Sequence, residues 1–141
     1  MADAPFAADP NCVFCQIVAR QAPAHIVYED AEALAFLDLF PFTRGHVLVV
    51  PRHHVPRLTD LPEDEHAGYL RALANVCRRV ERLTSDYNIA LNQGAKAGQV
   101  VFHLHFHVIP RYGEGNPFHT RPRDRLSSED ARELVATLSA A

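Results

Sequence analysis

Apolar and polar positions along this chain change period several times, and each change marks an element. Cys12 to Val18 is apolar at a mixed spacing and is stopped by Gln21-Ala22-Pro23, which predicts a short helix. The runs 25–30 and 33–38 are strand-like and flank a polar Glu29-Asp30-Ala31-Glu32 turn, so they predict a hairpin. His46-Val47-Leu48-Val49-Val50 is β-branched, is closed by Pro51 and predicts a central strand buried on both faces. From Pro62 to Ser85, Leu70, Leu73, Ala74, Cys77, Val80 and Leu83 recur at i, i+3 and i+4, the stripe of an amphipathic helix. Glu63, Asp64 and Glu65 open that helix and Arg78, Arg79 and Arg82 close it, as its dipole favours. Tyr87 to Asn92 predicts a strand that runs into the Gly-containing loop 93–99. His103 to Ile109 alternates with period two, placing His103, His105 and His107 on one strand face and Phe102, Leu104, Phe106 and Val108 on the other. Ser127-Ser128-Glu129-Asp130 caps a last helix through about residue 138, after an irregular, Pro-, Gly- and Arg-rich stretch over 110–125.

Composition narrows the class of molecule. The length of 141 residues suits one domain, expected over 11–141 behind a loose tail at 1–10, with 48% apolar and 22% charged residues. A net charge of -3 argues against an extended nucleic-acid partner. No apolar run reaches the ~20 residues of a membrane span, and residues 1–11 lack a signal-peptide pattern, so the expected location is cytoplasmic. Three cysteines, an odd number, argue against a disulfide scaffold. Cys77 falls in the helical stripe and reads as a small core residue.

The histidine run is where chemistry is expected. On a straight strand, positions i and i+4 lie roughly 13 Å apart, too far for all three rings to hold one ion at bonds of about 2 Å. Nucleophilic catalysis fits better: one imidazole attacks an electrophile while its neighbours supply hydrogen bonds and charge to phosphate oxygens. Asn92, Gly94, Gly98 and Gln99 in the preceding loop add amide and backbone N–H donors. Three satisfied sheet histidines are the plainer alternative. Cys12-x-x-Cys15 is half of a tetrahedral zinc site, against the alternative of two buried thiols. His25, His66 and His119 read as surface or loop residues, and Arg121, Arg123 and Arg125 as a small basic run that is usually solvated.

Taken together, His103-x-His105-x-His107-Val108-Ile109, with Asn92-Gln93-Gly94 and Ala97-Gly98-Gln99 before it, resembles the signature of the histidine triad (HIT) family. Cys12 to Cys15, the Glu29-Asp30 hairpin, Ala35-Phe36-Leu37-Asp38 and Gly45 to Pro51 extend the resemblance over about residues 11 to 113. It implies an α+β fold, a five-stranded antiparallel sheet with a long and a short α-helix, usually as a two-fold homodimer. It further implies hydrolysis or transfer at a nucleoside 5'-phosphate through a covalent nucleotidyl-histidine, with a purine nucleotide or nucleotide conjugate as substrate. By position, His105 is then the nucleophile, His107 and His103 orient the phosphate, and Asn92, Gly98, Gln99 and Val100 contact it. Asp38 is the ribose partner, Phe36 and Leu39 wall the base, and His46 supports a triad ring.

Many family members carry Ser or Thr where this chain has Val100, so the expected consequence is a lower rate or a shifted leaving-group preference, with the backbone N–H at this position retained. In zinc-containing branches the remaining ligands resemble His54 and His103, with His53 next door as the competitor. Four protein ligands would make that zinc structural, leaving no site for an activated water, and no organic cofactor is implied. Two readings follow: an enzyme cleaving a phosphoramidate, acyl nucleotide or dinucleoside polyphosphate through His105, or a zinc-stabilised nucleotide-binding module with little turnover.

Overall fold

A computed structural model describes residues 7–113, 115 and 124–141. The tail expected at 1–10 and the irregular stretch over 110–125 fall in part outside the described residues, as do His119, Arg121 and Arg123. The chain forms α1 (Val13–Val18), β1 (Ile26–Glu29), β2 (Ala33–Leu37), β3 (Val47–Pro51), α2 (His66–Val80), β4 (Tyr87–Ala90), β5 (Phe106–Pro110) and α3 (Ser128–Ser139). The strands make one antiparallel sheet in the order β1-β2-β3-β5-β4. Among the described residues, no helix is long and apolar enough to cross a membrane.

Of the three inner strands, β2 and β3 are buried throughout, as their unbroken apolar runs require. Alternation then divides them between two cores. Ala33, Ala35, Leu37, Val47 and Val49 join the cluster beneath α2 and α3, whereas Leu34, Phe36, Leu48 and Val50 pack with Cys12, Phe14, Cys15 and Ile17 of the α1 region. His107 lies on the α1 side, because it pairs directly with Leu48 and directly paired residues share a face.

Two expectations are corrected. The helical stripe is phased differently: Tyr69, Ala72, Leu73, Val76, Cys77 and Val80 are buried, while Leu70 is 66% exposed. Tyr69 outcompetes Leu70 for the core because its ring packs on Phe106 and its hydroxyl donates to the Val49 carbonyl at 2.7 Å. The histidine strand also starts later, at Phe106. Residues 101–105 bend instead, since the Leu104 N–H donates to the Val55 carbonyl at 2.7 Å rather than to a neighbouring strand. Phe102, expected on the core face, is consequently 50% exposed.

The β1–β2 turn is held by Asp30. Its carboxylate accepts from the Tyr28 hydroxyl at 2.6 Å and from the N–H groups of Glu32 and Ala33 at 2.7 and 2.9 Å. Burial alone would raise this carboxyl's pKa; the three hydrogen bonds and Arg52 outweigh it and hold it below the ordinary value. A lowered folded-state pKa stabilises above the unfolded value, and the contribution is lost as pH falls through the folded one. Asp30→Ala is therefore expected to cost about 1–3 kcal/mol at neutral pH. Urea unfolding of both proteins across pH should show that difference shrinking below about pH 4.

Candidate active site and metal centre

A cavity of about 490 Å³ opens on the α1 side of the sheet. One wall is apolar: Val13, Phe14 and Ile17 of α1, Pro23, Ala24, Phe36, Leu39, Phe40, Phe42 and Leu48. The opposite wall carries Asn92, Gly98, Val100 and Val101, and Asp38, His105 and His107 complete the lining. The expected residues Phe36, Asp38, Leu39, Asn92, Gly98, Val100, His105 and His107 thus meet in one cavity. Gly98 ends a short 3-10 turn in the left-handed region (φ 93), beside the Asn92 carboxamide.

Hydrogen bonds assign the imidazole tautomers. His105 Nδ1 lies 2.7 Å from the backbone carbonyl of His103, which can only accept, so Nδ1 carries the proton and Nε2 is left with its lone pair. Burial pushes the His105 pKa below the imidazole range, against the opposing pull of the His103 hydrogen bond and the Asp38 charge. The ring is buried edge-on against Phe14, centroids 5.1 Å apart.

His46 is almost wholly buried at the start of β3, and its ring orders His107. The Phe42 N–H donates to His46 Nδ1 at 3.0 Å, so His46 carries its proton on Nε2 and points it at His107 Nδ1, 2.9 Å away. His107 is thereby a neutral ring with its proton on Nε2. Asp38 Oδ2 lies 3.6 Å from the same His46 Nε2, and Asp38 Oδ1 accepts from the Phe40 N–H at 2.8 Å. Gly45 makes this placement possible: it turns the chain at φ 90, where a Cβ would collide with Leu83.

Two expected phosphate contacts are placed elsewhere. Gln99 does not line the cavity: its Nε2 donates to the carbonyls of Pro56 (2.9 Å) and Val101 (3.2 Å), and its Oε1 accepts from the Gly94 N–H (2.8 Å). With its own N–H donated to the Gly94 carbonyl at 3.1 Å, Gln99 has committed its donors to the loop it braces. His103 is likewise wholly buried and away from the cavity lining, because the bend at 101–105 turns it toward α1.

There His103 joins Cys12, Cys15 and His54, with one donor atom from each lying within 4.8 Å of all the others. His103 Nε2 donates to the Pro51 carbonyl at 2.8 Å, which leaves Nδ1 as a lone pair 3.6 Å from both sulfurs. Bonds of about 2.3 Å to sulfur and 2.0–2.1 Å to nitrogen give a tetrahedron with edges of roughly 3.6 Å, so this donor set fits zinc. His54 Nδ1 sits 3.2 Å from Cys15 Sγ, whereas His53 Nδ1 is bonded to Glu65 at 2.6 Å, which decides between the neighbours. Burial pushes the Cys15 thiol up to about 11 and the His103 imidazole down to about 4. Such a site holds thiolates only when a cation offsets their desolvation. Bound there, zinc would neutralise two thiolates and tie α1 to the segment carrying His103 and His105.

Residues 19–114 match the HIT domain model. The chain belongs to the HIT family. It is 42% identical over 140 residues to Protein hit of Bacillus subtilis, covering 90% of this chain and 97% of that one. It is 37% identical over 103 residues to Adenylylsulfatase HINT3 of Arabidopsis thaliana, covering 72% and 52% respectively. Among solved structures, a Zn-bound histidine triad family protein from Mycobacterium smegmatis superposes with a TM-score of 0.76 at 42% identity, covering 92% of this chain and 94% of that one. The five-stranded antiparallel sheet with helices is the HIT fold, and the three α-helices among the described residues are those expected from the periodicity of the chain, one more than the resemblance implies.

Sequence reasoning missed the contribution of α1. Val13, Phe14 and Ile17 form part of the cavity wall, and only the apolar spacing around Cys12 and Cys15 hinted at it. The metal assignment has a direct check by elemental analysis of purified protein: about one zinc per chain is expected. Cys12→Ser and His54→Ala should lose that metal and melt at lower temperature, while His53→Ala should keep it.

Proposed function

We propose that this HIT protein is a nucleotide hydrolase or transferase that cleaves a nucleoside 5'-phosphate derivative through a nucleotidyl intermediate on His105. The observation that carries the reading is the His105 tautomer: a neutral imidazole in a ligand-sized cavity, its Nδ1–H tied to a carbonyl and Nε2 unprotonated. Nε2 attacks the α-phosphorus, the bond from phosphorus to the leaving atom breaks, and water then cleaves the phosphorus–nitrogen bond to release a nucleoside monophosphate and restore His105.

The other residues divide the work. The His107 Nε2–H, fixed by His46, donates to a phosphate oxygen, and Asn92 and the backbone N–H groups at Gly98 and Val100 add donors around the same anion. Asp38 accepts from the ribose hydroxyls; its Oδ1 already holds the Phe40 N–H but keeps a second lone pair. Phe36, Leu39 and the α1 residues give a purine base an apolar slot. The Adenylylsulfatase relative supports cleavage at a nucleotide phosphate, and the zinc-bound relative supports a structural metal on Cys12, Cys15, His54 and His103. The same reading carries a two-fold homodimer; β4 is an outer strand with Ile89 exposed, and sedimentation velocity should give twice the chain mass.

Acid-free quenching during turnover of an adenylated substrate, followed by intact mass measurement, should show one added adenylyl group that is absent in His105→Ala. His46→Ala is expected to retain the adduct but lower kcat on the order of 10², since His107 loses its fixed tautomer. Nucleotide binding without adduct or turnover on every adenylated compound would instead support the binding-module reading.

A further inference from the structure

We infer that Cys12 and Cys15 form a redox switch: a hydroperoxide oxidises the pair to a disulfide, the metal ion leaves, and α1 comes away from the nucleotide cavity. This rests on the metal reading of Cys12, Cys15, His54 and His103 given above.

Helix α1 is a cavity wall that the main chain does not fasten. Among the described residues, the backbone hydrogen bonds of 10–22 stay local: Cys12 N–H donates to the Asp9 carbonyl, Ala19 to Cys15, Arg20 to Ile17 and Gln21 to Gln16. The facing wall differs, since β2 is laddered to β1 on one side and to β3 on the other. What joins α1 to the sheet is side chains. Phe14 and Ile17 pack with Phe36 and Leu48, and Arg20 pairs with Glu29 in an exposed contact that water weakens. The remaining tie is the ligand cluster. A metal ion there links position 12 to position 103 and position 15 to position 54, cross-links across 91 and 39 residues. A Cys12–Cys15 disulfide links residues three apart and joins α1 to nothing else.

Distance makes the two linkages exclusive. Bonds of about 2.3 Å to a tetrahedral ion hold two sulfurs roughly 3.8 Å apart, whereas a disulfide brings them to about 2.05 Å and leaves no thiolate to ligate. Either state is within reach of the same backbone. Both sulfurs lie 3.6 Å from His103 Nδ1 and within 4.8 Å of each other. Cys12, just before α1, and Cys15, within it, are one turn apart, where Cα atoms fall inside the ~4.4–6.8 Å that disulfides span. Each cysteine keeps 8% exposure, an opening on the scale of a peroxide little larger than water.

The chemistry balances with hydrogen peroxide as oxidant. One thiolate attacks a peroxide oxygen, the O–O bond breaks, hydroxide leaves and takes up a proton, and the sulfur becomes a sulfenic acid. The second thiolate attacks that sulfur, the S–S bond forms, and a second hydroxide leaves and takes up a proton. The sulfurs give two electrons to the peroxide. In sum, the metal-bound dithiolate, hydrogen peroxide and two protons yield the disulfide, the free metal ion and two waters, and a dithiol reductant reverses the sulfur step. The effect falls on the cavity wall. Phe14, between the two cysteines in sequence, packs on Phe36 and His105 and lines the cavity with Val13 and Ile17. His105 keeps its hydrogen bond to the His103 carbonyl, because Pro51 still holds the His103 ring. Oxidation therefore takes the apolar wall from the nucleotide and leaves the His105 tautomer in place.

The test treats the reduced, zinc-loaded protein with hydrogen peroxide and follows four readouts: zinc released to a colorimetric chelator, intact mass, amide hydrogen exchange over Val13–Val18, and calorimetric binding of adenosine monophosphate. Zinc should leave in step with the loss of two hydrogens per chain, exchange in α1 should quicken, and the nucleotide Kd should rise about tenfold or more as the competent fraction falls. Dithiothreitol followed by zinc should restore all four. Cys77→Ser should behave as the wild type does, because Cys77 lies in the other core beneath α2. Chelation of zinc under reducing conditions should weaken nucleotide binding to the same extent, which separates loss of the cross-link from oxidation itself. Zinc retained under peroxide, zinc lost without a Cys12–Cys15 disulfide, or exchange and binding unchanged once the disulfide has formed would overturn the inference and leave the metal reading standing. Purified wild-type protein without zinc overturns both.

Discussion

The backbone of His103 is where the architecture and the chemistry of this protein meet. Its ring donates to the Pro51 carbonyl at the end of β3 and turns its free nitrogen to the two cysteines, while its own carbonyl takes the Nδ1 proton of His105. One residue thereby joins the sheet, the candidate metal-ligand cluster and the proposed nucleophile within a few bonds. The bend at 101–105 serves this arrangement: a regular strand would send His103 and His105 to the same face at fixed spacing, whereas the bend buries His103 under α1 and leaves His105 at the cavity.

The two sides of the sheet divide the labour. Beneath α2 and α3 lies the larger core, built from the inward residues of β2, β3 and β5 together with Tyr69, Val76 and Leu134. On the other side a smaller cluster centres on α1, and it doubles as a cavity wall. Phe14 shows the economy of the arrangement: it packs on Phe36, on His103 and on His105, touching core, candidate metal ligand and proposed nucleophile at once.

Much of this was legible in the chain. Strands β1 to β4 and the capped α3 follow from period and punctuation, because their apolar residues answer to neighbours that are close in sequence or to a core that accepts any large side chain. The Cys12-x-x-Cys15 pair announced half of a candidate metal site for the same local reason. What failed depended on partners distant in sequence. Leu70 and Tyr69 are equally plausible core residues until Phe106 and the Val49 carbonyl arrive to favour Tyr69. Gln99 resembles a ligand residue until Pro56 and Val101 take its amide hydrogens. The choice of His54 over His53 is made by Glu65, twelve positions downstream of His53, and nothing in the dipeptide itself distinguishes the two.

The orientation of the proposed nucleophile has an origin that a side-chain inventory hides. His105 is held by a main-chain oxygen two residues earlier, so its tautomer is written in the path of the backbone and not in the identity of any partner residue. Exchanging the side chain at 103 does not remove that oxygen, whereas inserting or removing a residue between 103 and 105 takes the His105 ring away from it. The spacing of this stretch, more than its lettering, is what holds His105 Nε2 in position.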